Sequence, residues 1–425
     1  MQEMNLRDLL LQEYKTFAPN ASAAVSKVLR EESIKQVDEW GIPTIKQEEW
    51  KYTNLKSILE TPFKLHASNG KVEGIHYYNI DAYKLVFVNG VLNASLSDTK
   101  GIEAFATLKP ISEVEPATAE KYFNKFHPFK DGLQASNLAF AQHGVYLHVA
   151  KGKELPKPIV VYFLADTTQE PILAQPRNLV VLEQGATAKW IESFQSTGND
   201  TSFTNICSEF FLHQDSRLEQ YKFQQENDKA YHVGTSQVVH LEKSYSHSAV
   251  MTWSGALVRN NLNIHLGADY CEAHLYGLYL GNSNRHIDNH TLVDHAMPNC
   301  YSNELYKGIL DDQSTGVFNG KIWVQKDAQK TNAFQSNKNV LLSAKATMNT
   351  KPQLEIFADD VKCSHGATVG QLDEEALFFL RARGIPLAQA RLLLMQAFSD
   401  DVLNKITIPK LQEEITATIA QRLRP

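Results

Sequence analysis

The chain has 425 residues, 43% of them hydrophobic, and a formal net charge of −6. That length is too great for one compact core and predicts two or three domains. The acidic balance gives no reason to expect a nucleic-acid partner, which favours a basic patch. Four scattered cysteines, Cys207, Cys271, Cys300 and Cys363, form no CxxC pair, which excludes a zinc knuckle and a thioredoxin-type motif. The opening residues, Met1 to Asp8, lack a basic-then-apolar export pattern, and no apolar run approaches the roughly 20 residues that span a bilayer. The expectation is a protein of the reducing cytoplasm, with no membrane partner.

Taken in chain order, residues 1 to about 60 read as helical. Leu6, Leu9, Leu10 and Tyr14 recur at helical spacing, as do Val25, Val28 and Leu29. After Ile42-Pro43 comes an aromatic, charged segment, Glu48-Glu-Trp-Lys-Tyr-Thr-Asn-Leu55, whose Trp and Tyr are read as anchors on a neighbouring element. From Lys84 the period changes to two, and Asn89-Gly90 marks a hairpin turn. Residues 105–135 read as mixed and mainly helical, interrupted by Pro110, Pro116 and Pro128.

From about Ser136 to Gly370 the chain reads as short strands, such as Ile159-Val-Val-Tyr-Phe-Leu164 and Leu218-Glu-Gln-Tyr-Lys-Phe223. Punctuators near residues 185, 215, 267, 296 and 344 are spaced by one or two multiples of about 25 to 30 residues. No helical segment is long enough for βαβ crossovers, which argues against a doubly wound sheet. The expected fold is mainly β: a parallel β-helix of about nine coils. Helical segments on both sides are expected to cap its ends. The domain expectation is 1–135 mostly helical with a hairpin, 136–371 solenoid and 372–425 helical.

The solenoid region ends in Asp359-Asp-Val-Lys-Cys-Ser-His-Gly366. In a strand, Cys363 and His365 share a face about 7 Å apart, alternating with Lys362 and Ser364. Thiolate and imidazole are both donors for zinc or iron, but two ligands do not complete a four-coordinate site. Taken alone, the pair reads by default as a buried structural Cys beside a hydrogen-bonded His; if it binds metal, the remaining ligands have to come from elsewhere, another chain included. Gly366 and Gly370 are expected to close the strand. Asp373 then caps a helix containing Leu377, Phe378, Phe379, Leu380 and Arg381, which stops at Gly384. Pro386 suits a first helical turn, Leu387, Ala390, Leu393, Leu394 and Ala397 form an apolar stripe, and Ser399 is a candidate cap for a last helix bearing Ile415, Ile419 and Leu423.

Other motifs argue mostly by exclusion. There is no HExxH, no phosphate-binding P-loop and no GxSxG elbow. The acidic pairs Asp311-Asp312 and Asp359-Asp360 leave a β-helical carbohydrate enzyme as an alternative, but neighbours in a strand point to opposite faces, so turn residues are the preferred reading. The histidines between His232 and His295 (His240, His247, His265, His274, His286 and His290 among them) are read as polar ladders of stacked coils, with a metal path as the competing reading.

Several long motifs resemble the SufB/SufD family of iron–sulfur assembly proteins: Asp288-Asn-His-Thr-Leu-Val-Asp-His-Ala296, Tyr301-Ser-Asn-Glu-Leu-Tyr-Lys-Gly308, Gly316-Val-Phe-Asn-Gly-Lys-Ile322, Gln335-Ser-Asn-Lys-Asn339, Thr350-Lys-Pro-Gln-Leu-Glu-Ile356 and Glu49-Trp-Lys-Tyr-Thr53. The closing Asp359–Thr368 run resembles the SufD branch, and the cysteine-rich motif typical of SufB is not found. The resemblance implies a right-handed β-helix flanked by helical domains, and a non-catalytic scaffold subunit. It implies pairing with a SufB-like paralogue, docking of a SufC-like ATPase through the C-terminal helices, and a transient iron–sulfur cluster shared with the SufB-like partner. By that resemblance His365 is this chain's donor to the shared site and Cys363 lies in the same motif. Leu377, Phe378, Phe379, Leu380 and Arg381 become candidate ATPase contacts, and Lys362 and Ser364 candidate contacts to the paralogue. No cofactor is expected on the isolated chain, for which a homodimer is a further expectation. A purely structural partner without a ligand role stands as the other alternative.

Overall fold

A computed structural model describes residues 5–65, 72, 74–126 and 131–424; Pro128, expected to interrupt a helix, lies outside them. Two helices open the chain, Leu6–Phe17 and Lys27–Trp40. Asn5 and Ser26 cap them by accepting the N–H groups of Asp8 and Leu29. Leu6 and Leu10 are buried as the spacing predicts, but Val28 is exposed. Arg30 is buried instead, donating to the carbonyls of Ala139 (2.9 Å) and Ala141 (2.7 Å). Buried carbonyls that need donors set that choice, which helical periodicity does not reveal.

The hairpin forms as expected, with Tyr83–Val88 antiparallel to Val91–Leu92. Its turn residues Asn89 and Gly90 both sit at positive φ (51° and 82°), as a two-residue turn requires. Tyr83–Val88 also pairs in parallel with Ile159–Asp166, so the hairpin is the first strand of a solenoid sheet. Strand Ala106–Pro110 lies antiparallel to Val145–Val149 where mainly helix was expected, and two short helices follow, Pro116–Tyr122 and Gly132–Ala139.

From Val145 to Gly370 alternate strands enter two parallel sheets, giving a β-solenoid of about eight turns. The expected nine is one too many because several turns take 30 residues or more. Register partners such as Tyr231 with Leu257 and Tyr146 with Leu179 show the repeat ranging from 26 to 33 residues. Inward positions stack into columns, and their sizes must complement one another. A Cβ on Gly277 would lie 2.1 Å from the Tyr306 ring, so glycine there is what admits the tyrosine on the next turn.

Hairpin and strand residues Leu85, Phe87, Ile102 and Ala106 join the solenoid's interior cluster and close its first turn. The C-terminal helices Glu374–Ala382, Leu387–Leu403 and Pro409–Arg422 do not close the other end, contrary to expectation. They pack on the flank of the solenoid, where Met395, Val402 and Leu403 meet Tyr276, Leu278 and Ile309. Lys307 pins them there, donating to Asp401 (2.6 Å) and to the Phe398 carbonyl (2.8 Å). Pro386 is the cap of the second helix rather than part of its first turn. Ser399 lies inside that helix, bonded to the Met395 carbonyl, and Pro409 opens the last one. Ala390 is buried as expected, but Leu387 and Leu393 are exposed. Among the described residues no helix is long and apolar enough to cross a membrane.

Candidate functional site

The last turn consists of strands Thr347–Ile356 and Val361–Gly370, one at the end of each sheet. Among the described residues Val361–Gly370 pairs on one side only, with Thr331–Leu341, and its other edge carries a row of unpaired backbone groups. Nothing lies within 4 Å of a Cβ built on Gly366 or Gly370. Gly366 sits within the strand rather than ending it, since the ladder runs on to Gly370.

Register decides which way the candidate ligands face. Cys363 stacks on Ala333 and His365 on Gln335, and both of those residues are buried inside the solenoid. Cys363 and His365 therefore share the inward face, as strand alternation predicts, at the mouth of an uncapped tube. Cys363 is half-buried against Ile322, Val324 and Ala333, and burial raises the pKa of its thiol. His365 is exposed, while Lys362 and Ser364 are exposed on the outward face of the same strand.

Beneath His365 lies a column legible only once the register is known. His365 stacks on Gln335, which stacks on Glu304. Gln335 Nε2 donates to Glu304 Oε2 at 2.8 Å. Burial pushes the Glu304 pKa up to about 7. With the folded pKa above the unfolded one, the protonated acid's contribution is complete below the ordinary glutamate pKa and is lost as pH rises through about 7. Glu304→Gln is therefore expected to flatten the fall in melting temperature between mildly acidic and mildly basic pH. An effect on the order of 1 kcal/mol, or a few degrees, is expected. An unchanged pH profile in scanning calorimetry would mean that Glu304 titrates elsewhere.

The histidine-rich motif does structural work. His290 Nε2 lies 3.0 Å from Asp288 Oδ1, Arg259 Nη1 donates to Asp288 Oδ2 at 2.8 Å, and His286 Nε2 lies 2.8 Å from Thr53 Oγ1. Arg259 also covers the Trp50 ring (3.7 Å to its centroid) and donates to the Glu49 carbonyl at 2.7 Å. Burial alone would raise the Asp288 pKa, but His290 and Arg259 outweigh it and hold the carboxyl far below its usual range. Glu49-Trp-Lys-Tyr-Thr53 is thus the clasp between the N-terminal region and the outer sheet face. Trp50 is the anchor, and Tyr52 stays exposed. His232, His240 and His295 are buried, the last two bonded to serines: His240 Nε2 to Ser246 Oγ (2.9 Å) and His295 Nε2 to Ser302 Oγ (2.9 Å). Among the described residues, no three His, Cys, Asp or Glu side chains converge to hold a metal ion. The acidic pairs are turn residues: Asp312 sits at positive φ (52°), and the Asp360 N–H donates to Gln329.

On the flank, Asp373 caps helix Glu374–Ala382 by accepting from Glu375 N (2.9 Å) and Ala376 N (3.1 Å). Leu377 is buried beneath the helix and Leu380 half-buried, whereas Phe378 and Phe379 are 73% and 54% exposed, with Arg381 exposed beside them.

A two-sheet solenoid with an unclosed last turn presenting Cys and His, clasped by an N-terminal region and flanked by helices, defines a class of β-solenoid protein. The comparisons name it: the SUF system FeS cluster assembly SufBD core domain matches residues 163–398, and the SufBD protein N-terminal region matches 2–161. The chain belongs to the SufB/SufD family of iron–sulfur cluster assembly proteins. Within it the chain is SufD-like. It is 30% identical over 403 residues to the iron–sulfur cluster assembly protein SufD of Escherichia coli, covering 92% of each chain. It is also 30% identical over 396 residues to a SufBD family protein of Synechocystis, covering 90% of this chain and 87% of that one. To SufD of Bacillus subtilis it is 24% identical over 349 residues, 78% of this chain and 76% of that one.

Proposed function

We propose that this chain is the SufD-type subunit of a SufBCD scaffold in the cytoplasm. Its open solenoid end pairs with a SufB-like paralogue, and the nascent iron–sulfur cluster is built between them. The observation that carries this reading is the unclosed last turn, with His365 and Cys363 on its inward face. Iron and sulfide need soft thiolate and imidazole donors, and one chain supplies only part of a shell. The free strand edge offers backbone hydrogen bonds to a facing chain, and Lys362 and Ser364 line its outer side. His365 is the donor of this half-site, with Cys363 beside it. The cluster is cargo rather than a resident group, and the chain itself catalyses nothing. A homodimer of the isolated chain would use the same edge.

Helix Glu374–Ala382 docks a SufC-like ATPase, with Phe378 and Phe379 as the apolar anchors, Arg381 at the rim, and Leu377 and Leu380 holding the helix from below. Adjacent exposed phenylalanines on a capped helix are otherwise a solubility cost. Because the helix is fixed to the flank of the solenoid, nucleotide-driven movement of the ATPase would be passed to the open end.

Co-expression with SufB-like and SufC-like chains tests both contacts. Tagged wild-type chain should retain both partners. Phe378→Ser with Phe379→Ser should lose the ATPase, with affinity falling by about a hundredfold, and keep the paralogue, because buried aromatic anchors dominate interfaces. Full retention of the ATPase by that variant sinks the docking assignment, and failure of wild type to retain a SufB-like chain sinks the pairing.

A further inference from the structure

A cavity of about 490 Å³ lies between the flank of the solenoid and the C-terminal helices. That size is in the range of small-molecule sites. Its floor is apolar, formed by Trp253, Leu280, Ile309 and Met395. Its wall carries Arg391 from helix Leu387–Leu403, Arg422 from the end of the last helix, and Arg424 just beyond it.

These three guanidinium groups make no hydrogen bond or ion pair among the described residues. The acids across the cavity are engaged with backbone. Asp312 Oδ2 accepts the Ser283 N–H at 2.8 Å, and Asp311 Oδ1 accepts the Asp312 N–H at 2.8 Å. Trp253 is 1% exposed, yet its indole N–H meets no acceptor among the described residues. Arg285, which also lines the cavity and pairs with Asp228 at 2.6 Å, has a buried Nε that is likewise unpartnered. Buried donors in a folded chain nearly always find acceptors. Here the residues that carry both unpaired donors and the three free cations line one space.

We propose that this cavity binds a small organic anion, its apolar body lying against Leu280, Leu342 and Met395 and its acidic group held by Arg391, Arg422 and Arg424. Guanidinium forks suit carboxylate, sulfonate or phosphate oxygens, and the apolar lining suits a hydrocarbon body. The site does not depend on the open end of the solenoid or on the cluster.

The test uses the full chain and two fluorescent probes that share a ring system: anilinonaphthalene sulfonate and its uncharged parent, phenylnaphthylamine. The sulfonate should titrate to one saturable site, bind about tenfold or more tighter than the parent, and be displaced by inorganic phosphate. The triple variant Arg391→Gln, Arg422→Gln, Arg424→Gln should lose that preference while melting as wild type does, since all three side chains are exposed. Phe378→Ser with Phe379→Ser should bind both unchanged, which places the site in the cavity rather than on the exposed helix. Equal affinity for the two probes, an unaltered triple variant, or loss of binding in the phenylalanine pair would each overturn the proposal.

Discussion

His365→Ala is expected to leave the fold and its melting temperature unchanged and to abolish cluster assembly by the complex. The imidazole is exposed, makes no hydrogen bond or ion pair among the described residues, and sits on an unpaired edge. Removing it therefore costs no packing and leaves no buried group unsatisfied, so stability should stay within about 0.5 kcal/mol of wild type. The functional cost is of another order. If the shared site takes one imidazole from this chain, its loss removes a donor outright. Even orienting groups outside the ligand set cost about 10–100-fold, so a drop of about two orders of magnitude in assembled cluster is the expected minimum. Anaerobic reconstitution with ferrous iron and sulfide, followed by visible absorption, reads it directly. Cys363→Ser run alongside separates ligand from packing. A ligand thiol gives a comparable loss, whereas a packing thiol against Ile322 and Val324 gives only a small stability change. Wild-type cluster yield from the His365→Ala complex would end the site assignment.

The largest stability effect is expected at Arg177. Its guanidinium and the Glu209 carboxylate are 1% and 2% exposed and 2.6 Å apart. Arg177 also donates to Asn137 Oδ1 at 3.0 Å, and Glu209 accepts the Asn124 N–H at 2.7 Å. The pair thus joins the strand of one turn to the next, and both to helix Gly132–Ala139 and the loop before it. Arg177→Ala leaves a carboxylate buried without its cation, for which about 3–5 kcal/mol is the usual loss. A double replacement, Arg177→Met with Glu209→Leu, should recover most of that, because no uncompensated charge remains. Urea denaturation of the three proteins checks it. A loss under about 1 kcal/mol in the single variant would mean that water or a neighbour satisfies Glu209.

Much of the architecture was legible from local chemistry. Asn89-Gly90 announces its turn because few residue pairs tolerate two successive positive φ angles. Asp373 announces its helix because a carboxylate can accept two free N–H groups. Alternation alone puts Cys363 and His365 on one face. What local chemistry does not carry is the stacking between turns. Glu304, Gln335 and His365 lie about 30 residues apart in the chain and one above another in space. The clasp between Trp50 and Arg259 joins residues more than 200 positions apart. Pattern reading also misjudged the second C-terminal helix, where Leu387 and Leu393 look like core and are exposed, because the face that docks on the solenoid is chosen by the solenoid.

Sequence alone determined that the chain stacks short strands, that helices flank them, and that a thiol and an imidazole share a face near the last strand's start. Those are properties of neighbours, and periods of two, four or about 30 residues record them. Tertiary structure decided that the C-terminal helices lie on the flank and leave the tube's mouth open. The physical reason is that Tyr276, Leu278 and Ile309 give Met395, Val402 and Leu403 an apolar face to bury against, whereas the last strand presents exposed Lys362, Ser364 and His365.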